Sequence, residues 1–165
     1  VKNKIGTLRE EIRQARPFRS LSQEAALSLF RTTGLVRRFH AQVVEKKDLT
    51  LQQYNVLRIL RGAGPEGLPT LTISERMVER MPGITRLIDR LVERGWVERR
   101  RSEEDRRLVL CSLTPAGGEL LAELDPAIDE ADDECLAMLT AEEQEQMIKI
   151  LDKIRLAYAE MGFGG

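Results

Sequence analysis

The stretch that most constrains this 165-residue chain runs from Ile84 to Leu113. Ile84, Leu87, Ile88, Leu91 and Val92 recur at spacings of three and four, the stripe of a helix with one apolar face. Gly95 ends that helix, and Pro82 sits where a proline suits a first turn. Residues 96–100 and 107–113 then read as two short strands around a charged tip, Arg101-Ser102-Glu103-Glu104-Asp105-Arg106. That is a β-hairpin with a longer loop. One amphipathic helix and one hairpin cannot enclose a core, so the neighbouring segments must supply it.

Thr50 with Gln53 forms a capping box ahead of a helix containing Tyr54, Val56, Leu57, Ile59 and Leu60. This helix is apolar around much of its circumference and is expected to be central. The run Gly62-Ala63-Gly64-Pro65-Glu66-Gly67 breaks the chain. Thr72 with Glu75 reads as a second capping box, starting a short helix to about Met77 or Val78. Upstream, residues 1–15 read as a short helix with Ile5, Leu8 and Ile12 in line. Pro17 ends it, and Ser20 or Ser22 caps a longer helix to about Lys46. Downstream, Thr114-Pro115 starts a helix that Pro126 is expected to kink or interrupt. Thr140 with Glu143 starts the last one, striped by Met147, Ile150, Leu151, Ile154 and Tyr158.

The fold class that follows is mainly α with a small β-hairpin wing: a winged helix-turn-helix plus a helical dimerisation region. The expected division is N-terminal dimerisation helices at 1–48, the winged motif at 49–114 and C-terminal dimerisation helices at 115–165. Aromatics are 4% against 42% hydrophobic residues, which favours aliphatic helix packing over a β-sandwich. An apolar C-terminal stripe of about three turns needs a partner, and a second copy of the chain is the simplest one.

The net charge of −1 conceals a segregation. Residues 1–50 carry 11 basic and 5 acidic side chains, residues 51–79 carry 3 and 3, residues 80–115 carry 9 and 6, and residues 116–165 carry 3 and 13. A polyanion would therefore meet the first 115 residues and not the acidic remainder. No stretch is long and apolar enough for a membrane span, and residues 1–16 lack the apolar core of a secretory signal. The expectation is a cytoplasmic protein without a membrane partner. Two cysteines (Cys111, Cys135) and one histidine (His40) provide no metal-ligand set, so neither metal nor cofactor is expected. Cys111 and Cys135 read as structural thiols, and His40 as a half-exposed helix residue. The absence of a nucleophile–base pair, a phosphate loop or paired carboxylates leaves no catalytic residue to name, and an enzyme is not expected.

The second helix of a helix-turn-helix fits the major groove of B-DNA, which is about 12 Å wide. With the apolar stripe inward, Thr85, Arg86, Asp89, Arg90 and Glu93 lie toward the other side. Residues at the N-terminal end reach bases first, which singles out Arg80, Thr85 and Arg86. Arg86 suits either a guanine O6/N7 pair or a phosphate. At the hairpin tip, Arg106 and Arg107 suit a narrow minor groove, and the adjacent Asp105 can pair with one guanidinium while the other points outward. The DNA-binding candidates are thus Arg80, Thr85, Arg86, Asp89, Arg90, Arg106 and Arg107, with Asp105 bracing the wing. The alternative is a winged-helix protein–protein interaction module that does not bind DNA. It expects a weakly basic reading face, which the five arginines in that set oppose.

From Leu49 to Leu121 the sequence resembles the MarR family of regulators. The resemblance rests on the run from Ile84 to Leu91 (ITRLIDRL), on Arg94-Gly95-Trp96-Val97-Glu98-Arg99, on Asp105-Arg106-Arg107 and on Leu113-Thr114-Pro115-Ala116-Gly117. It implies a homodimeric transcriptional repressor on a pseudo-palindromic double-stranded operator, with recognition helices in successive major grooves. It also implies wings in the minor groove, braced by Asp105 and one of Arg106 and Arg107. A small aromatic or anionic ligand is implied as a modulator, at residues the sequence does not identify. Two features depart from the family pattern. Val78 and Arg80 stand where the turn before the recognition helix carries a glycine and a small hydroxyl residue. The basic segment before Pro17 resembles the extra N-terminal helix of urate-responsive members, but their ligand-binding tryptophan is missing from it.

Overall fold

The computed structural model describes residues 6–79, 82–102, 105 and 107–163. The chain divides into two compact units, Val1–Phe39 and His40–Gly165. In the first, a short helix α1 (Leu8–Glu11) is closed by a reciprocal capping box between Thr7 and Glu10. Among the described residues the helix expected over 1–15 is this single turn, and residues 1–5, Ile5 included, lie outside them. Helix α2 (Leu21–Glu45) follows, with the Ser20 hydroxyl accepting the Gln23 backbone N–H at 3.1 Å. Ser20 is thus the cap, and Gly34 is carried within the helix.

The second unit is built on α3 (Leu51–Ala63), whose Thr50–Gln53 capping box forms as expected. Val56, Leu57 and Leu60 of this helix are fully buried. Around it pack α4 (Thr70–Arg76), α5 (Ile84–Glu93) and α6 (Pro115–Leu136). The core joins Ile73 of α4, Ile88 and Leu91 of α5, and Leu121, Leu124 and Ile128 of α6. The core therefore extends past the expected boundary at 114.

Helix α4 begins earlier than the Thr72–Glu75 spacing predicts: Pro69 is its N-cap and Thr72 lies inside it. It starts there because residues 68–69 form a strand. This strand β1 (Leu68–Pro69) pairs antiparallel with β3 (Val109–Leu113), which pairs antiparallel with β2 (Val97–Arg101). Two residues carry no alternation, so β1 was invisible in the sequence. Its approach depends on Gly67, at φ +69°, where a Cβ would sit 2.3 Å from the Cys111 carbonyl oxygen.

Pro126 does not interrupt α6. Leu124 and Ile128 are buried on either side of it, and their burial offsets the one lost backbone bond. Gly117, an odd choice for a first helical turn, has a packing reason. A Cβ there would lie 2.3 Å from the Trp96 carbonyl oxygen. The last helix, α7 (Ala141–Glu160), opens on the expected Thr140–Glu143 box and contains no buried residue.

Candidate nucleic-acid interface

Helix α5 presents the two faces that its sequence pattern implies. Leu87, Ile88 and Leu91 are buried, while Thr85, Arg86, Arg90 and Glu93 are exposed. The helix begins at Ile84. Gly83 adopts the left-handed region (φ 90°, ψ 22°) and serves as N-cap, which places Pro82 in the preceding turn and not in the first helical turn. Among the described residues no side chain caps this helix, and Thr85 and Arg86 stand in its first turn.

The turn ahead of α5 explains one departure from the family pattern. Met77 ends α4 in an extended conformation (φ −62°, ψ 135°), so no left-handed glycine is required at 78. The Val78 backbone N–H donates to Asn55 Oδ1 at 2.9 Å, and the Val78 side chain is 92% exposed. Gln52 Nε2 donates to the Glu79 carboxylate at 3.4 Å. Arg80 lies outside the described residues.

The described part of the wing loop is organised around Asp105. Its carboxylate accepts the backbone N–H of Arg107 at 3.0 Å, an Asx turn. The Ser102 hydroxyl accepts the Asp105 N–H at 3.3 Å, and Leu108 N–H closes the loop onto the Asp105 carbonyl at 2.9 Å. The Arg107 side chain is exposed. Arg106 lies outside the described residues.

Sequence reasoning missed the two arginines that anchor the wing strand. Arg99 Nη1 reaches Asp89 Oδ1 of α5 at 2.6 Å. Arg100 Nη2 donates to the Glu66 carbonyl at 3.0 Å and to its carboxylate at 3.2 Å, tying β2 to the loop after α3. Strand alternation carried the signal for Arg99, which shares a face with the buried Val97 and pairs in register with the buried Cys111. Arg99 is only partly covered there, its side chain 31% exposed, and its guanidinium is taken up by Asp89. Asp89 is accordingly half-buried and ion-paired, unlike the exposed residues beside it. Nearby, the Arg94 guanidinium stacks on Trp96, 4.0 Å from the ring centroid, and donates to the Asp48 carbonyl at 2.7 Å.

Away from this face, His40 Nε2 lies 2.8 Å from Asp132 Oδ1 with its side chain only 15% exposed, so the expected half-exposed histidine is instead a packed one. Arg61 forms a two-pronged bond with Asp125 at 2.7 and 3.0 Å. Burial pushes the Tyr54 phenol above its ordinary range, and Arg58 over the ring works against that shift. Burial and the Asp132 carboxylate also push the Cys135 thiol up. Among the described residues no set of His, Cys, Asp and Glu is arranged to hold a metal ion, and no helix is long and apolar enough to cross a membrane.

Residues 49–109 match the model of the MarR family. The chain is 33% identical over 110 residues to the transcriptional regulator HosA of Escherichia coli O157:H7, covering 67% of this chain and 80% of that protein. Among solved structures, a MarR transcription factor from Planctomyces limnophilus is 41% identical with a TM-score of 0.64, covering 82% of this chain and 98% of the other. This chain belongs to the MarR family of transcriptional regulators. Three further likenesses bear on this MarR-family chain. A MarR variant from E. coli complexed with operator DNA is 24% identical, with a TM-score of 0.71 over 90% of this chain and 99% of that one. Bordetella bronchiseptica BpsR, whose DNA binding is regulated by 6-hydroxynicotinic acid, is also 24% identical, with a TM-score of 0.71 over 79% and 98%. The homoprotocatechuate degradative operon repressor of Escherichia coli is 29% identical over 132 residues, 80% of this chain and 81% of that one.

Proposed function

We propose that this MarR-family chain is a homodimeric repressor that binds a pseudo-palindromic duplex operator. One observation carries the reading: α5 exposes Thr85, Arg86 and Arg90 on the side opposite its buried Leu87, Ile88 and Leu91, with Thr85 and Arg86 in its first turn. A positive helix end with arginines beside it suits phosphates and guanine edges in the major groove. Arg107, whose backbone closes the Asp105 turn and whose side chain is exposed, extends the basic surface to the wing. Arg80 and Arg106 belong to the proposal on their sequence positions. Asp89 enters it through Arg99 and not as a DNA contact.

The dimer reading rests on α7, which exposes Ile148, Ile150, Ile154, Leu156 and Tyr158. The helices of 1–48 and 115–165 serve as the dimerisation regions and 49–114 as the DNA-binding domain. Repression is supported by the homoprotocatechuate repressor, and control by a small aromatic anion by BpsR. The function needs no catalytic step, and it places the protein in the cytoplasm with DNA.

Selection of purified protein against random duplexes, followed by a salt titration, tests this reading. Enrichment of an inverted repeat is expected, with log affinity falling by about 0.9 per log salt for each phosphate neutralised. Weak, salt-insensitive binding with no enriched sequence would overturn it in favour of a protein–protein module. On the selected site, Arg86→Ala is expected to cost about 1–3 kcal/mol and relax one base position if Arg86 reads a base. A uniform loss across sequences would assign it to phosphate.

A further inference from the structure

Asp89 is an awkward residue for a surface that faces phosphates. It follows Thr85 by four positions and Arg86 by three, so it lies on the exposed side of α5, between them around the helix. An uncompensated carboxylate there would repel the polyanion that Arg86 and Arg90 attract. The carboxylate is not free. Arg99 reaches it from β2 at 2.6 Å, with the two side chains 31% and 43% exposed. Arg99 is itself held in place by strand register, across from the buried Cys111. Desolvation alone would lower the guanidinium's pKa, but its bonds to Asp89 and Cys111 outweigh that and hold it above the ordinary arginine value.

We propose that Arg99 is a positioning residue for operator binding that acts through Asp89: it draws the carboxylate toward the wing strand and neutralises it. The N-terminal part of the reading face of α5 then meets DNA with Thr85, Arg86 and Arg90 and without a bare Asp89 carboxylate among them, while the exposed Glu93 stands at the far end of the helix. This inference rests on the DNA-binding reading above.

The test is a set of variants on the selected duplex: wild type, Arg99→Met, Arg99→Lys, Asp89→Asn and the double variant Asp89→Asn with Arg99→Met. Circular dichroism and thermal unfolding accompany each one. Arg99→Met is expected to weaken binding about tenfold or more, because it leaves Asp89 bare before the phosphates. Asp89→Asn and Arg99→Lys are expected to stay within about threefold of wild type. The double variant is expected to return to within about threefold of Asp89→Asn, since the repelling charge is gone.

That recovery separates charge masking from simple support of the fold, which removing both partners would not repair. A double variant as weak as Arg99→Met would overturn the inference, and so would Arg99→Met binding like wild type. If Arg99→Met does not fold, Arg99→Gln replaces it, with the same outcomes required. Failure of the wild type to bind any duplex would instead overturn the DNA-binding reading, and this inference with it.

Discussion

Ile88 and Ile150 have identical side chains on two helices of the same chain, yet Ile88 of α5 is fully buried and Ile150 of α7 is 50% exposed. The contrast extends along both helices. Three of the ten residues of α5 are buried in a core shared with α3, α4 and α6, whereas α7 buries none of its twenty. The winged lobe therefore closes its own core within one chain, while the apolar face of α7 is left for something else to cover. Charge divides the same way. Residues 80–115 are net basic, and the acidic excess lies in residues 116–165. A region that folds by itself and carries cations suits DNA. A region that is apolar on one side and acidic on the other suits a second subunit and solvent.

Mutations in the two regions can break this contrast. Leu57→Ala, at the fully buried centre of α3, is expected to lower unfolding free energy by about 2–5 kcal/mol in urea titrations. A loss below about 1 kcal/mol would mean the lobe's core is not closed around α3. Gly117→Ala pushes a Cβ to 2.3 Å from the Trp96 carbonyl oxygen and should cost about 1–3 kcal/mol by overpacking. Wild-type stability in that variant would show that the first turn of α6 is free to shift. Thr50→Ala removes the hydroxyl that accepts the Gln53 N–H at 3.2 Å, with an expected loss of about 1 kcal/mol.

Ile150→Glu is expected to change the unfolding of the isolated chain by only about 0.5 kcal/mol, yet to convert a dimer to monomers in sedimentation. A variant that stays dimeric would move the interface away from α7. The smallest effect concerns Cys135, whose thiol is held above its ordinary range by burial and by the Asp132 carboxylate. A raised pKa means less thiolate at neutral pH. Alkylation by iodoacetamide should therefore be slower than for a free thiol and accelerate only as pH rises past the ordinary thiol range. Alkylation at the free-thiol rate would contradict that environment.

The sequence by itself determined what is written between near neighbours. The Thr50, Thr114 and Thr140 caps, the stripe of α5 and the two hairpin strands all depend on residues one to four positions apart. Short-range hydrogen bonds and the helical and strand periods suffice to fix them. The family motif lay in the same contiguous stretch and was legible for the same reason. Features that depend on distant segments were decided only by tertiary structure. Strand β1 exists because β3 lies beside Leu68 and Pro69, which carry no pattern of their own. Pro126 stays within a helix because the core holds Leu124 and Ile128 on either side of it. Asp89 and Arg99 are ten positions apart in sequence, and their spacing predicts no contact. The packing of α5 against β2 makes them one ion pair, joining a residue of the reading helix to the wing strand. Periodicity assigns a side chain to a face, but only the closed core decides what that face meets.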